Sequence, residues 1–177
     1  MVKIVRLDIG SGGHNLQKPL EDWIHQDGKP GDHVEIVCDW KKIPRDTESV
    51  DEMHFGDVIE HIPMWQLAET LGEWNRLLKV GGIFHGSMPN IDRVMKDYAN
   101  GTMTLTDAKN ALYGWADSPF QQHYMTYTKE TLKETMLTYG FEIEDFSGSP
   151  GPADRPWWLV FKGRKTSRCL WRELYGD

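Results

Sequence analysis

The sequence is poor in the features that mark several classes of protein. It has only two cysteines, Cys38 and Cys169, and neither sits in a C-x-x-C pair. That excludes a disulfide framework and a cysteine-based zinc module, and the expectation is a reduced, cytoplasmic protein. No apolar run approaches the ~20 residues that a bilayer span needs. The first apolar stretch, Met1-Val-Lys-Ile-Val-Arg-Leu-Asp8, is broken by charges, so it does not read as a signal peptide. No internal repeat or low-complexity segment is present. Excess positive charge is lacking as well: 20 basic residues stand against 27 acidic ones, a formal net charge of -7, which makes nonspecific nucleic-acid binding a poor reading. None of the seven histidines falls in metal-type spacing such as H-E-x-x-H, and no metal is assigned.

What is present fits one globular domain over 177 residues, 39% hydrophobic and 27% charged, long enough to bury a core. The acids are concentrated at one end, with 13 acidic and 7 basic groups in residues 1–60 against 8 of each in 126–177. Apolar runs bounded by turn residues predict strands over Ile4–Ile9, Trp23–Asp27, Val34–Cys38, Glu52–Gly56, Ile83–Met88, Phe141–Phe146 and Trp157–Lys162. The clearest helix carries Met64, Leu67, Leu71, Trp74, Leu77 and Leu78 at helical spacing after Pro63, with Gly81-Gly82 as its expected stop. Residues 90–127 read as an insertion after strand five, holding two short helices and then an aromatic stretch. Thr128 caps a further helix, and 163–177 is a basic, then amphipathic, tail expected to dock on its own domain.

Strands alternating with helices predict an α/β fold, Rossmann-like and doubly wound, with a seven-stranded, mainly parallel sheet and an antiparallel last strand. One join is anomalous. Only Gly28 to His33 separates the second and third strands, whereas a parallel crossover usually takes about a dozen residues.

The first strand runs into Asp8-Ile-Gly-Ser-Gly-Gly13. Gly10 and Gly12 match the first two positions of the dinucleotide fingerprint G-x-G-x-x-G, but Asn15 holds the third. Asp8, two residues ahead of the glycines, would repel a pyrophosphate and suit a ligand with a cationic amino group. Asp8-Ile-Gly-Ser-Gly-Gly resembles motif I of the class I S-adenosylmethionine-dependent methyltransferases, and the resemblance continues in order downstream. It takes in Trp23-Ile-His-Gln-Asp27, Val37-Cys-Asp-Trp40 with Ile43, Ser49 to His61, Arg76-Leu-Leu-Lys-Val-Gly-Gly82 and Leu137-Thr-Tyr-Gly-Phe141.

This resemblance implies S-adenosyl-L-methionine as cofactor and methyl transfer to an oxygen or nitrogen nucleophile of a small-molecule or glycan acceptor, by a monomer or homodimer. It implies a cofactor site of Asp8, Gly10, Ser11, Gly12, Gly13, Asp27, Asp39, Trp40, Asp57 and His61. In it Asp27 holds the ribose hydroxyls, Asp39 accepts from the adenine amino group, and Trp40 or Ile43 covers the ring. Asp27 lies seventeen positions after Gly10, near the ~20 expected for such an acid. Its other reading is a turn acid before Gly28; that of Asp39 is a surface-loop acid. Asp57, His61 and His123 are the candidates for a proton-accepting group. Residues 90–127 are expected to close the site, with Tyr98, Tyr113, Trp115, Phe120, Tyr124 and Tyr127 offering aromatic surface. Two other readings are a non-catalytic S-adenosylmethionine-binding protein that acts with a partner, and a nucleotide-dependent oxidoreductase.

Overall fold

A computed structural model describes residues 3–12, 20–115, 120–148, 157–167 and 169. Seven strands, β1 (Arg6–Ile9), β2 (Ile24–Asp27), β3 (Ile36–Val37), β4 (Val50–Gly56), β5 (Leu78–Pro89), β6 (Phe141–Gly148) and β7 (Trp158–Lys165), form one sheet in the order β3-β2-β1-β4-β5-β7-β6. The pairs from β3 to β5 are parallel, and β7 runs antiparallel to both β5 and β6. This is the seven-stranded, mainly parallel, doubly wound sheet with an antiparallel last strand expected from the sequence. The helices are α1 (Met64–Leu77), α2 (Ile91–Ala99), α3 (Leu105–Tyr113) and α4 (Lys129–Thr138). Among the described residues no helix is long and apolar enough to cross a membrane.

The anomalous join between β2 and β3 resolves as a crossover without a helix. The two strands pair in parallel through only Gln26↔Ile36 and Asp27↔Val37. Besides the ladder, His25 accepts from Glu35 N through its backbone oxygen and donates its own N–H to Glu35 Oε2 at 2.7 Å. A two-residue edge strand is short enough to be reached by a bare loop.

The sheet has two unlike faces. On one, Leu7, Ile9, Met53, Phe55, Phe84 and Phe161 are fully buried and pack with Leu71, Trp74 and Leu77 of α1 and Leu132 and Met136 of α4. The other carries Arg6–Glu52, an ion pair at 3.0 Å, and the register row His25, Asp8, His54, His85, Lys162. One face of β4 is apolar, which gives the alternation Glu52-Met-His-Phe-Gly56. Half-buried beside Lys162 and His54, the His85 imidazole is held below its ordinary range, chiefly by desolvation. The unfolded chain therefore takes up this proton first, near pH 6.5. The stabilisation from neutral His85 is complete above that pH and lost as pH falls from 6.5 toward the folded-state value. Urea melts at pH 7.5 and 5.0 should show a smaller acid loss for His85→Gln than for the parent.

Helix α1 ends at Leu77, not at the Gly81-Gly82 pair, which lies inside the longer β5 beside the register shift between Val50 and Glu52. Its stop is Lys165. This buried ammonium donates to the carbonyls of Asn75 at 2.7 Å and Leu78 at 2.8 Å, satisfying acceptors at the negative end of the helix. The tail continues against the same helix, where Cys169 N donates to Asn75 Oδ1 at 2.9 Å. The rest of the expected tail docking, by Leu170, Trp171, Leu174 and Tyr175, lies outside the described residues.

Residues 90–127 leave and rejoin the domain at one point, the Asn90↔Tyr127 bridge. They carry a small core of Val94, Met103, Ala108 and Ala111, against which Trp157 packs. Tyr98, Tyr113, Trp115, Phe120 and Tyr124 are exposed. Tyr127 is not: it is 3% exposed and belongs to the main core.

Candidate functional site

The parallel strands end together at one edge, and the chain reversal after β1 needs glycine there. Gly10 has φ +66° and Gly12 φ +75°. A Cβ on Gly10 would stand 2.6 Å from Val58 Cγ2, while one on Gly12 would meet none of the described residues within 4 Å. The first glycine therefore serves close packing, and the second leaves a left-handed backbone open to a ligand. Ser11 N donates to Gln26 O at 3.1 Å, fixing the loop to β2, yet Ser11 Oγ is buried with no hydrogen-bond partner among the described residues. Gly13 lies outside the described residues.

Asp27 closes the loop's far side. Its carboxylate accepts from Gly12 N at 3.0 Å and Lys29 N at 2.9 Å. The Lys29 contact is the turn contact expected of an acid before Gly28, and the Gly12 contact places the same carboxylate on the glycine loop. Asp8 lies deeper, 6% exposed, and both its oxygens are engaged, by His25 Nδ1 at 3.0 Å and His54 Nδ1 at 2.7 Å. Sequence spacing could not find these partners, since they come from β2 and β4. At the end of β3, Asp39 is exposed and accepts from Lys41 N at 2.9 Å. Trp40 is half-buried against the core, its carbonyl accepting from Trp74 Nε1 at 3.2 Å, and Ile43 is 2% exposed.

At the end of β4, Asp57 takes a left-handed φ of +56°, which only a constrained turn imposes on a non-glycine residue. Its Oδ1 accepts from Ser87 Oγ at 2.7 Å and from Trp158 Nε1. Of the two adjacent tryptophans, Trp158 therefore serves this site, and Trp157 serves the small core. One turn on, His61 and His123 meet edge to face with ring centroids 4.7 Å apart. His61 Nδ1 bonds to Gln122 O at 2.9 Å and His123 Nδ1 to Ala111 O at 3.0 Å. Burial pulls both imidazoles down, His123 to about 4 with help from neighbouring His61. Glu60, 1% exposed and with a carboxylate oxygen within 4.8 Å of a ring nitrogen of each, was not singled out from the sequence. Burial first, and then Asp57, push its carboxyl well above the usual range. In the sequence it is one of two polar residues, with His61, between Ile59 and Ile62.

The geometry gathers the predicted residues into two groups. Asp8, Gly10, Ser11, Gly12 and Asp27 surround the glycine loop, and Asp57, His61 and His123 lie beyond β4. Asp39 and Trp40 stand after β3, beyond Asp27. Replacing Gly10 with alanine should both strain the loop, by about 1–2 kcal/mol for the left-handed backbone, and displace Val58. The expected outcome is a lower melting temperature and weaker S-adenosylhomocysteine binding. Gly72→Ala, in the middle of α1 with nothing within 4 Å, should leave binding unchanged.

No protein-family model and no curated protein sequence matches the chain. Solved structures do. The 1,6-didemethyltoxoflavin-N1-methyltransferase of Burkholderia thailandensis, with bound 1,6-didemethyltoxoflavin and S-adenosylhomocysteine, superposes with a TM-score of 0.63 at 18% identity, over 92% of this chain and 71% of that one. A SAM-dependent methyltransferase from Thermotoga maritima gives 0.62 at 18% identity, over 93% and 84%. An S-adenosylmethionine-dependent methyltransferase from Mesorhizobium loti gives 0.59 at 17% identity, over 91% and 90%. The chain has the class I S-adenosylmethionine-dependent methyltransferase fold.

Proposed function

We propose that the protein transfers a methyl group from S-adenosylmethionine to an oxygen or nitrogen nucleophile of a small-molecule or sugar acceptor. The observation that carries this reading is the loop at Gly10–Gly12. An open left-handed glycine, an orphaned buried hydroxyl on Ser11 and the Asp27 carboxylate stand together at the carboxyl ends of β1 and β2, where open α/β sheets bind ligands. These groups fit the cofactor: Asp27 can accept from a ribose diol, and Ser11 has a hydrogen bond to give or take. Asp39 and Trp40 take the adenine end. Asp8 acts as a positioning residue, tying β1 to β2 and β4 through His25 and His54.

When bound, the cofactor supplies an electrophilic methyl on a sulfonium. The work left to the chain is alignment, exclusion of water and acceptance of a proton. Asp57, held by Ser87 and Trp158, presents a fixed charge on the methyl side of the site. His61 and His123 are neutral near pH 7 and have a ring nitrogen free of the backbone bonds at Nδ1, so either can accept a proton from a hydroxyl or protonated amine. Residues 90–127 close the site. In support, Lys29 Nζ, two residues past Asp27, lies 3.9 Å from the centre of the Phe120 ring, so this segment reaches across to the ribose side.

The test is label transfer. Incubated with methyl-labelled cofactor and a small-molecule extract, the protein should move label into a low-molecular-weight product. Cofactor binding with no label on any acceptor would contradict the enzymatic reading.

A further inference from the structure

We propose that Glu60, His61 and His123 form a divalent-cation site of the two-histidine, one-carboxylate kind, with open positions that take an oxygen of the methyl acceptor. One donor atom from each of the three side chains lies within 4.8 Å of the other two. Metal donors at about 2.0–2.2 Å from an ion stand roughly 3–4 Å apart, so small side-chain rotations close the set.

The hydrogen bonds set both rings for ligation. A backbone carbonyl can only accept, so His61 Nδ1 must donate to Gln122 O, and His123 Nδ1 must donate to Ala111 O. In a neutral imidazole this leaves the Nε2 lone pair unprotonated, the arrangement by which outer partners orient metal-ligating histidines. Glu60 supplies the third donor. Glu60 is 1% exposed, and among the described residues no other residue gives its carboxyl oxygens a hydrogen bond, an expensive state for a buried acid unless a proton or a cation compensates it. The Tyr127 hydroxyl is also buried without a partner among the described residues, and its own burial and then Glu60 push it up.

The site joins two parts of the fold. Glu60 and His61 belong to the 3₁₀ turn Ile59–His61 after β4, and His123 comes from the end of the 90–127 segment. Tyr124 N and Met125 N donate to Glu60 O at 2.8 and 3.1 Å, which already fixes one strand of the joint to the other. His61 and His123 are 62 residues apart in sequence, which is why no spacing motif revealed them. Two imidazoles with one carboxylate favour zinc, iron, cobalt or manganese over magnesium or calcium.

The catalytic use of the open positions rests on the methyltransferase reading; cation binding does not. With the cation bound, Nε2 of His61 and His123 is no longer a proton acceptor, and an acceptor hydroxyl on the cation loses its proton to water more readily. Its oxygen then forms a bond to the methyl carbon as the carbon–sulfur bond breaks, and the sulfonium leaves as a neutral thioether.

The experiment titrates chelator-treated protein with Co(II), followed by its visible bands, and with Zn(II) in competition. S-Adenosylhomocysteine binding is measured on the same samples. One equivalent of Co(II) should bind and be displaced by Zn(II). Glu60→Gln and His123→Gln should each weaken binding at least tenfold while keeping the circular dichroism spectrum and S-adenosylhomocysteine binding. His85→Gln, outside the cluster, should leave Co(II) affinity unchanged. Absence of stoichiometric uptake, or uptake indifferent to both cluster variants, overturns the site and identifies Glu60 as a buried protonated acid. Cation binding without S-adenosylhomocysteine binding overturns the methyltransferase reading alone. Turnover unchanged by chelation overturns the acceptor role.

Discussion

Asp27→Ala is expected to weaken S-adenosylhomocysteine binding about 100-fold. Two effects add in this variant. The carboxylate that would accept from the ribose diol is gone, and hydrogen bonds to a charged group contribute about 1.5–3 kcal/mol each. The Gly12 N–H also loses its 3.0 Å acceptor, so the loop is no longer held in its binding conformation. A loss of about 3 kcal/mol in total corresponds to that factor. Asp27→Asn should sit between the two, since an amide oxygen can still accept from Gly12 N but carries no charge. Calorimetric titration of the three proteins checks the order. Undiminished binding by Asp27→Ala would remove the ribose assignment and leave Asp27 as a turn residue only.

Trp74→Ala is expected to produce the largest loss of stability. Trp74 is fully buried on α1, stacks against Phe55 with centroids 4.7 Å apart, and donates its indole N–H to Trp40 O. Truncating a buried tryptophan costs about 3–5 kcal/mol in transfer and cavity terms. For a chain of this size that lowers the melting temperature by roughly 10 °C. Because the Trp74–Trp40 bond ends at the segment assigned to adenine, the variant should also lose affinity for S-adenosylhomocysteine below its melting range. A thermal melt and a binding titration at 15 °C separate the two effects. Trp74→Phe should recover most of the stability and not the hydrogen bond.

Local pattern carried most of the fold. The seven strands, α1 and the antiparallel end follow from period, glycine and proline, because each such signal acts within a few residues. What pattern missed was set by distant contacts. Helix α1 stops at Leu77 because Lys165, from β7, caps it, while Gly81-Gly82 is free to shape β5. The short crossover after β2 was visible as an anomaly in length, and its solution, a two-residue β3, required the sheet. At the site, the proximity of the glycine loop and Asp27 was legible because both stand at the ends of adjacent predicted strands, seventeen residues apart. The saturation of Asp8 by His25 and His54 was not, since those partners come from two other strands. Glu60 was hidden for a different reason. An acid between Ile59 and Ile62 has no meaning until the burial of its carboxyl and the approach of His123 are known.

The central claim is that the carboxyl edge of β1 and β2 receives S-adenosylmethionine. Calorimetric titration of the unmodified protein with S-adenosylhomocysteine and, separately, with NADH tests it most directly. One S-adenosylhomocysteine per chain, lost in Asp27→Ala, with no response to NADH, is the predicted result. Tight NADH binding with no response to S-adenosylhomocysteine would contradict it.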